Sequence, residues 1–375
     1  MTKNACGHPR SRLFFVVRFT MRSMLLEGIF PAITTPFYPG GQIYFRKLEQ
    51  NLARYSLAAV AGFVVLGSTG EAVMLGDEES REVLRTARQA SAADKVLLAG
   101  VGRESVTETL RLADFAAVEQ YDAVLVRTPN FYEPLISEAA MLNYYRLIAD
   151  RSPLPVVIYS IPKFTHYDIP VGLVAELAGH PKILGIKDSS GSVQRIRAIV
   201  AATRETPKRT VTVTPVFAAV TARMLAAGGE EPGTFVSAEQ LGLGAMTLAT
   251  APPRLRPTTR TREVGFQVLS GAPETTMKSL EAGASGAVLA MAACAPQSCQ
   301  EIYTAWKDRD PVLAAAKQER LSAASARVAG SLGIAGLKYA CELNGYYGGS
   351  PRLPLLPLTA AEKAEVEILM ADLRS

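Results

Sequence analysis

The chain has little of what metal-binding, disulfide-stapled or membrane-spanning proteins depend on. Its four cysteines, Cys6, Cys294, Cys299 and Cys341, form no Cys-x-x-Cys pair, and its three histidines, His8, His166 and His180, lie far apart. A zinc site has no ligand cluster to draw on, and a disulfide scaffold does not suit 375 residues. Free thiols of this kind fit a reducing cytoplasm. No apolar run approaches the roughly 20 residues that cross a bilayer. The stretch Leu13-Phe-Phe-Val-Val17 follows basic residues, but it is too short for a signal-peptide core and no small-residue cleavage site comes after it. Gly-x-Gly-x-x-Gly is missing from every turn, which removes the phosphate cradle of a dinucleotide-binding sheet.

A basic surface is also missing, despite a net charge of +5. Residues 1–26 carry five basic residues (Lys3, Arg10, Arg12, Arg18, Arg22) and no acid, and residues 205–262 carry seven basic and four acidic residues. The remainder is therefore net negative by three. A nucleic-acid binder would concentrate basic charge on its folded face, so nucleic acid is not an expected partner. The composition, 48% hydrophobic and 20% charged, is that of a globular protein with one large core or two modest ones.

What is present is one unit, repeated. A short apolar or β-branched run ends in a small or polar turn, and a helical pattern follows. Such runs occupy 28–37, 62–70, 95–102, 122–129, 155–162, 183–190, 266–271 and 286–292. Alternation of strand and helix implies parallel strands with crossover helices. Eight units read as a (β/α)8 TIM barrel, with a doubly wound open sheet as the alternative. Helix signals lie between the runs: a Ser105-Val-Thr-Glu108 capping box, Asp77 as the cap of a helix through Arg88, and Val193, Ile196 and Val200 on one face. Residues 296–375 read as a C-terminal helical extension, alanine-rich over 311–329 and capped by Thr359 before its last helix. The expected organisation is a disordered extension or a late start (Met21 or Met24) over 1–26, a barrel over 27–295, and the helices of 296–375. A peripheral, partly disordered insertion at 205–262 interrupts the barrel, with a short helix over 215–227. An insertion that follows a helix and precedes a strand lies on the barrel face opposite the active site. An oligomer or partner contact is its alternative role.

In such a barrel the chemistry comes from strand ends. Lys187 closes the sixth run, in Gly-Ile-Lys-Asp-Ser-Ser-Gly at 185–191. At a buried strand end a solvated ammonium is disfavoured and the amine can attack a carbonyl, whereas on a surface the same residue would merely snorkel. The second run ends in Gly67-Ser68-Thr69-Gly70-Glu71, whose glycines and hydroxyls suit a small carboxylate, although such a sequence is also an ordinary turn. The fifth run ends in Tyr159-Ser-Ile-Pro162, where a tyrosine either fills the core or relays protons. An amine, a proton carrier and an anion cradle are the parts of Schiff-base chemistry on a 2-oxo acid.

These motifs, with Thr-Thr-Pro-Phe at 34–37, Gln-Val-Leu-Ser-Gly at 267–271 and Gly-Ala-Ser-Gly-Ala at 283–287, occur in the order and spacing of a known family. Over about residues 27–204 and 263–373 the chain resembles the pyruvate-dependent class I aldolases, the family of dihydrodipicolinate synthase and N-acetylneuraminate lyase. The resemblance implies that Lys187 forms a covalent imine with no other cofactor. It implies that Tyr159 shuttles protons, that Ser68 and Thr69 hold the pyruvate carboxylate within the Gly67–Gly70 turn, and that Thr69 joins the relay. It also implies a cytoplasmic homo-oligomer, commonly a tetramer built from tight dimers.

Two departures stand out. The arginine that the synthases place after the Tyr159 turn is Phe164 here, and a phenyl ring cannot bind a carboxylate bidentately. Lys163 and His166 are the candidates to replace it, with a surface role as the alternative for Lys163. The relay tyrosine that family members donate across a subunit interface aligns with Phe131, and its neighbour Tyr132 should face another way. With the Tyr-Ser-Ile-Pro turn and the tail Asn-Gly-Tyr-Tyr-Gly-Gly at 344–349, Phe164 directs the sequence reading to a lyase of the 4-hydroxy-2-oxoglutarate aldolase type. Its rivals are dihydrodipicolinate synthase, a sugar-acid aldolase or dehydratase, and a non-catalytic 2-oxo-acid sensor.

Overall fold

In the computed structural model, which describes residues 24–227 and 258–373, each of the eight apolar runs contains a strand. In chain order the elements are β1 (Gly28–Pro31), α1 (Phe45–Leu57), β2 (Gly62–Val65), α2 (Asp77–Ala90), β3 (Val96–Gly100), α3 (Val106–Val118), β4 (Ala123–Arg127), α4 (Glu138–Arg151) and β5 (Val156–Ser160). There follow α5 (Pro162–Thr165), α6 (Val171–Ala178), β6 (Ile183–Asp188), α7 (Val193–Ala202), β7 (Arg209–Val213), α8 (Ala222–Ala227), β8 (Arg260–Val264), β9 (Gln267–Ser270), α9 (Thr276–Glu281) and β10 (Gly286–Leu289). The helices α10 (Pro296–Lys307), α11 (Pro311–Ser325), α12 (Gly333–Leu343) and α13 (Ala360–Met370) complete the chain.

Eight strands pair in parallel in the order β1-β10-β9-β6-β5-β4-β3-β2. The sheet closes on itself: Ala61 N–H donates to Ile29 O at 2.9 Å and Ile33 N–H to Val64 O at 3.1 Å, joining β1 to β2. The result is the (β/α)8 barrel, not the open sheet. Phe30, Val64, Leu98, Leu125, Val157 and Leu269 fill its lumen as one buried cluster. Each such side chain contributes about 1.5–3 kcal/mol by leaving water. Gly185 lets β6 approach β9, because a Cβ there would lie 2.1 Å from Gln267 O.

Several local expectations are corrected. Asp77 is the first helical residue of α2 and Gly76 is the cap, because the Glu79 carboxylate reaches back to Gly76 N–H at 3.0 Å. Ser105 caps α3, but Glu108 turns to Arg111 at 2.6 Å instead of completing the box. Thr359 and Glu362 do form a full capping box. The expected helix over 215–227 begins only at Ala222, after a turn in which Phe217 has φ +61°. Helix α11 ends at Ser325 and continues as a π-helical turn, Ala326–Ser331.

The segment 205–262 contains regular structure. Strands β7 and β8 form an antiparallel pair, with Val211, Val213 and Val264 packed on Leu25. Three of its side-chain anchors lie at the amino-terminal ends of barrel strands. Arg209 donates to His180 O and Ile183 O ahead of β6, Arg262 pairs with Glu27 at 2.6 Å ahead of β1, and Arg223 of α8 pairs with Asp122 at 3.2 Å ahead of β4. The hairpin therefore covers the amino-terminal face. Residues 228–257 and 1–23, over which the sequence implies disorder, lie outside the described residues. Residues 24–26, assigned to the extension from sequence, belong to the barrel floor: Leu26 N–H donates to Gln267 Oε1 at 2.6 Å and Gln267 Nε2 to Met24 O at 2.9 Å. No described helix is long and apolar enough to cross a membrane.

Candidate active site

Strand β6 carries Lys187 in register with Tyr159 of β5 and Leu269 of β9. Tyr159 and Leu269 belong to the lumen cluster. Side chains alternate along a strand, so Lys187 faces the lumen and its neighbour Asp188 faces the helices. Lys187 is 4% exposed, which removes the surface-lysine alternative. Its Nζ sits 4.0 Å from the centroid of the Tyr159 ring.

The Tyr159 hydroxyl meets Ser68 Oγ at 3.0 Å. Ser68 opens a one-turn 3-10 helix, Ser68–Gly70, which follows β2. The turn is bracketed by two non-glycine residues in the left-handed region, Leu66 (φ +59°) and Glu71 (φ +55°). Residues in that region carry strain and persist where the surroundings hold them. Thr35 is one such support: its Oγ1 donates to Gly70 O at 2.7 Å. Thr69 is buried and Gly67 leads into the turn in an extended conformation. Lysine amine, tyrosine hydroxyl and serine hydroxyl are thus contiguous at the ends of three strands.

Buried contacts with helix α7 anchor the end of β6. Asp188, whose side chain is fully buried, pairs with Arg195 Nε of α7 at 2.8 Å and accepts from Ser190 N–H at 3.1 Å. Arg195 also pairs with Asp168 at 3.1 Å. Removing Arg195 would leave the Asp188 carboxylate buried without its cation. We expect Arg195→Met to cost about 3–5 kcal/mol of stability, measured by urea unfolding; a loss below about 1 kcal/mol would show that the pair does not anchor β6.

The remaining candidates do not converge on Lys187. Phe131 and Tyr132 are 75% and 63% exposed and pack edge-to-face on each other at 5.0 Å. Their loop is held by Glu104, which accepts from the N–H groups of Asn130 and Phe131 and pairs with Arg127 at 2.8 Å. Burial opposes the charge on Glu104, but the backbone donors and Arg127 prevail and hold its carboxyl below the ordinary range. Phe164 is 56% exposed, with Lys163 Nζ 5.6 Å from its ring centroid. Lys163 donates to Gly330 O at 3.0 Å, on the π-helical turn. His166 is exposed and ends α5 in a left-handed conformation. Among the described residues no group of three or more His, Cys, Asp or Glu could hold a metal. Cys294, Cys299 and Cys341 are free and buried, and burial pushes the Cys341 thiol up to about 12.

Two supports of the turn emerge only in the structure: Thr35, within the Thr-Thr-Pro-Phe motif, and the C-terminal Lys338, which pairs with Glu71 at 2.7 Å. A lone lysine inside the mostly apolar helix α12 was the available signal.

A closed parallel barrel with an amine, a phenol and a hydroxyl turn at its carboxyl-terminal rim defines a (β/α)8-barrel enzyme. The dihydrodipicolinate synthetase family model matches residues 25–230 and 254–373, and the chain belongs to that family. It is a lyase of the class I aldolase type. A 4-hydroxy-tetrahydrodipicolinate synthase of Acidiphilium cryptum is 27% identical over 349 residues, 93% of this chain and 99% of that protein. A synthase of the same name from Xanthomonas axonopodis pv. citri is 38% identical over 182 residues, 48% of this chain and 58% of that one. Among solved structures, YagE of E. coli K12, a prophage protein of the dihydrodipicolinic acid synthase family in complex with pyruvate, is 25% identical with a TM-score of 0.73, covering 93% of this chain and 99% of that one. Dihydrodipicolinate synthase from Bacillus anthracis shares the fold, with a TM-score of 0.72 at 23% identity and coverage of 93% and 99%.

Proposed function

We propose that this enzyme condenses pyruvate with an aldehyde through an imine on Lys187, and runs the reverse cleavage. The observation that carries the proposal is the buried Lys187 amine against Tyr159, whose hydroxyl is bonded to Ser68. The amine adds to the pyruvate ketone, the carbonyl oxygen leaves as water with the two amine protons, and C=O becomes C=N. Loss of a methyl proton gives an enamine, whose carbon attacks the aldehyde. Tyr159 and Ser68 carry the protons of addition and dehydration, and Ser68, Thr69 and the turn's N–H groups hold the carboxylate. No metal or cofactor is needed for these steps.

For the aldehyde, the names of the relatives favour the 4-hydroxy-tetrahydrodipicolinate synthase reading over the 4-hydroxy-2-oxoglutarate aldolase type expected from sequence, since the Acidiphilium cryptum relative so named matches 93% of the chain. The aldolase type remains the second reading, supported by the exposed Phe164 where an arginine would receive the second carboxylate. Borohydride trapping with pyruvate tests the shared step: a mass adduct on Lys187 is expected, and its absence would refute the imine. Condensation with aspartate semialdehyde then supports the synthase. Failure there, with cleavage of 4-hydroxy-2-oxoglutarate, supports the aldolase, and cleavage or dehydration of a sugar acid would name that rival instead. Pyruvate trapping without turnover of any of these would leave a sensor. The loop of Phe131, Tyr132 and the 81% exposed Leu135 supports assembly into a homo-oligomer, which sedimentation would show as a mass above that of one chain.

A further inference from the structure

Helix α12 reaches the last residue of the Gly67–Glu71 turn through an ionic contact. Lys338 on α12 is directed at Glu71, the last residue of the turn, with Nζ 2.7 Å from Oε1 and both side chains 1% exposed. The ammonium also donates to Ser350 O at 2.9 Å and lies 4.3 Å from the Phe37 ring centroid. The other Glu71 oxygen accepts from Arg352 N–H at 2.8 Å. The Arg352 guanidinium in turn bonds Gly41 O, Met74 O at 2.7 Å and both carboxylate oxygens of Glu79. Hydrogen bonds from Arg352 draw the Glu79 carboxyl below its ordinary range, so this outer pair is intact at neutral pH and weakens only in acid. Gly348 brings the returning chain against α12, since a Cβ there would lie 1.9 Å from Lys338 O.

A buried ion pair is a poor way to gain stability, because well-packed apolar residues of the same volume do as well or better. It is a good way to impose one geometry. Here the carboxylate belongs to a residue held at φ +55°, three positions after the serine bonded to Tyr159. Burial lowers the affinity of Lys338 for its proton, and the charge and hydrogen bond of Glu71 oppose that effect.

We propose that Lys338 is a positioning residue for pyruvate binding: through Glu71 it sets the backbone of the 67–71 turn and thereby aims the Ser68 and Thr69 hydroxyls at the carboxylate. The inference rests on the imine reading above. Its test is the pyruvate dependence of borohydride trapping at Lys187. The double variant Glu71→Gln/Lys338→Met leaves no unpaired buried charge. Its pyruvate half-saturation is expected to rise about tenfold or more, since small misplacements of binding groups carry penalties of that size. Trapping at saturating pyruvate should fall much less. A merely structural role would lower the melting temperature and leave the pyruvate dependence of the folded enzyme unchanged. Lys338→Arg keeps the charge on a differently shaped group and is expected to shift half-saturation about threefold. A folded double variant within twofold of the parent overturns the inference. If that variant does not fold, a Lys338→Arg enzyme with the parental pyruvate dependence overturns it equally. Absence of trapping in the parent enzyme would refute the imine reading and this inference with it, whereas trapping in the parent with an unmoved variant refutes the inference alone.

Discussion

Lys187→Ala is expected to abolish the borohydride-stable pyruvate adduct and to lower turnover by about four orders of magnitude or more, as loss of a covalent nucleophile does. The position makes the prediction sharp. Lys187 is the residue of β6 that faces the lumen at the level of Tyr159, and the amine is buried against that ring. No flanking group can substitute: Asp188 faces the opposite side in its pair with Arg195, and Lys338 is engaged by Glu71 and Ser350. The measurement is an intact-mass and peptide-mass assay with pyruvate and borohydride, beside turnover of whichever aldehyde the parent enzyme accepts. A variant that still trapped pyruvate at the parental rate would place the imine on another lysine. Folding should survive, because alanine replaces a side chain whose polar end makes no salt bridge among the described residues.

Tyr159→Phe has the second largest expected effect. The substitution keeps the ring beneath the Lys187 amine and deletes the hydroxyl that meets Ser68 at 3.0 Å. Loss of a positioned proton carrier lowers turnover by about 10²–10⁴-fold. Pyruvate binding should change much less, since the turn and its supports from Thr35 and Lys338 remain. Stability should move by no more than about 1.5 kcal/mol, the net worth of one hydrogen bond. Because Phe131 supplies no second phenol on the neighbouring loop, the loss at Tyr159 has no aromatic hydroxyl to back it up within that residue pair other than the exposed Tyr132. Turnover within threefold of the parent would show that water carries the protons and that Tyr159 only packs.

Much of the barrel was legible because parallel strands are buried on both faces and appear as short apolar runs. Lys187 stood out for the same reason: a charged residue at the end of such a run has few structural uses. The hairpin of β7 and β8 is not legible in the sequence. Its alternation of threonine and valine over 209–213 sits among Thr, Pro and Arg, and its partner strand lies some fifty residues later, in the register Arg209 with Val264. The capping details failed where a side chain had a competing partner, as Glu108 had in Arg111. The proposed second-substrate pocket is legible only as absences, phenylalanines where a tyrosine and an arginine are expected, and both rings are exposed.

The sequence by itself determined the kinds of chemistry available: an amine, a phenol and a hydroxyl-rich turn at the ends of apolar runs, in an order that identifies the family. Strand periodicity and turn composition are local properties, and local properties survive in a linear string. Only the tertiary structure decided which of these groups meet. Closure of the barrel brings Ser68 to Tyr159 across 91 positions, and the C-terminal helices bring Lys338 to Glu71 across a greater span. Hydrogen bonds and buried ion pairs depend on ångström-scale separation and on exclusion of water, and neither exists until distant segments have packed.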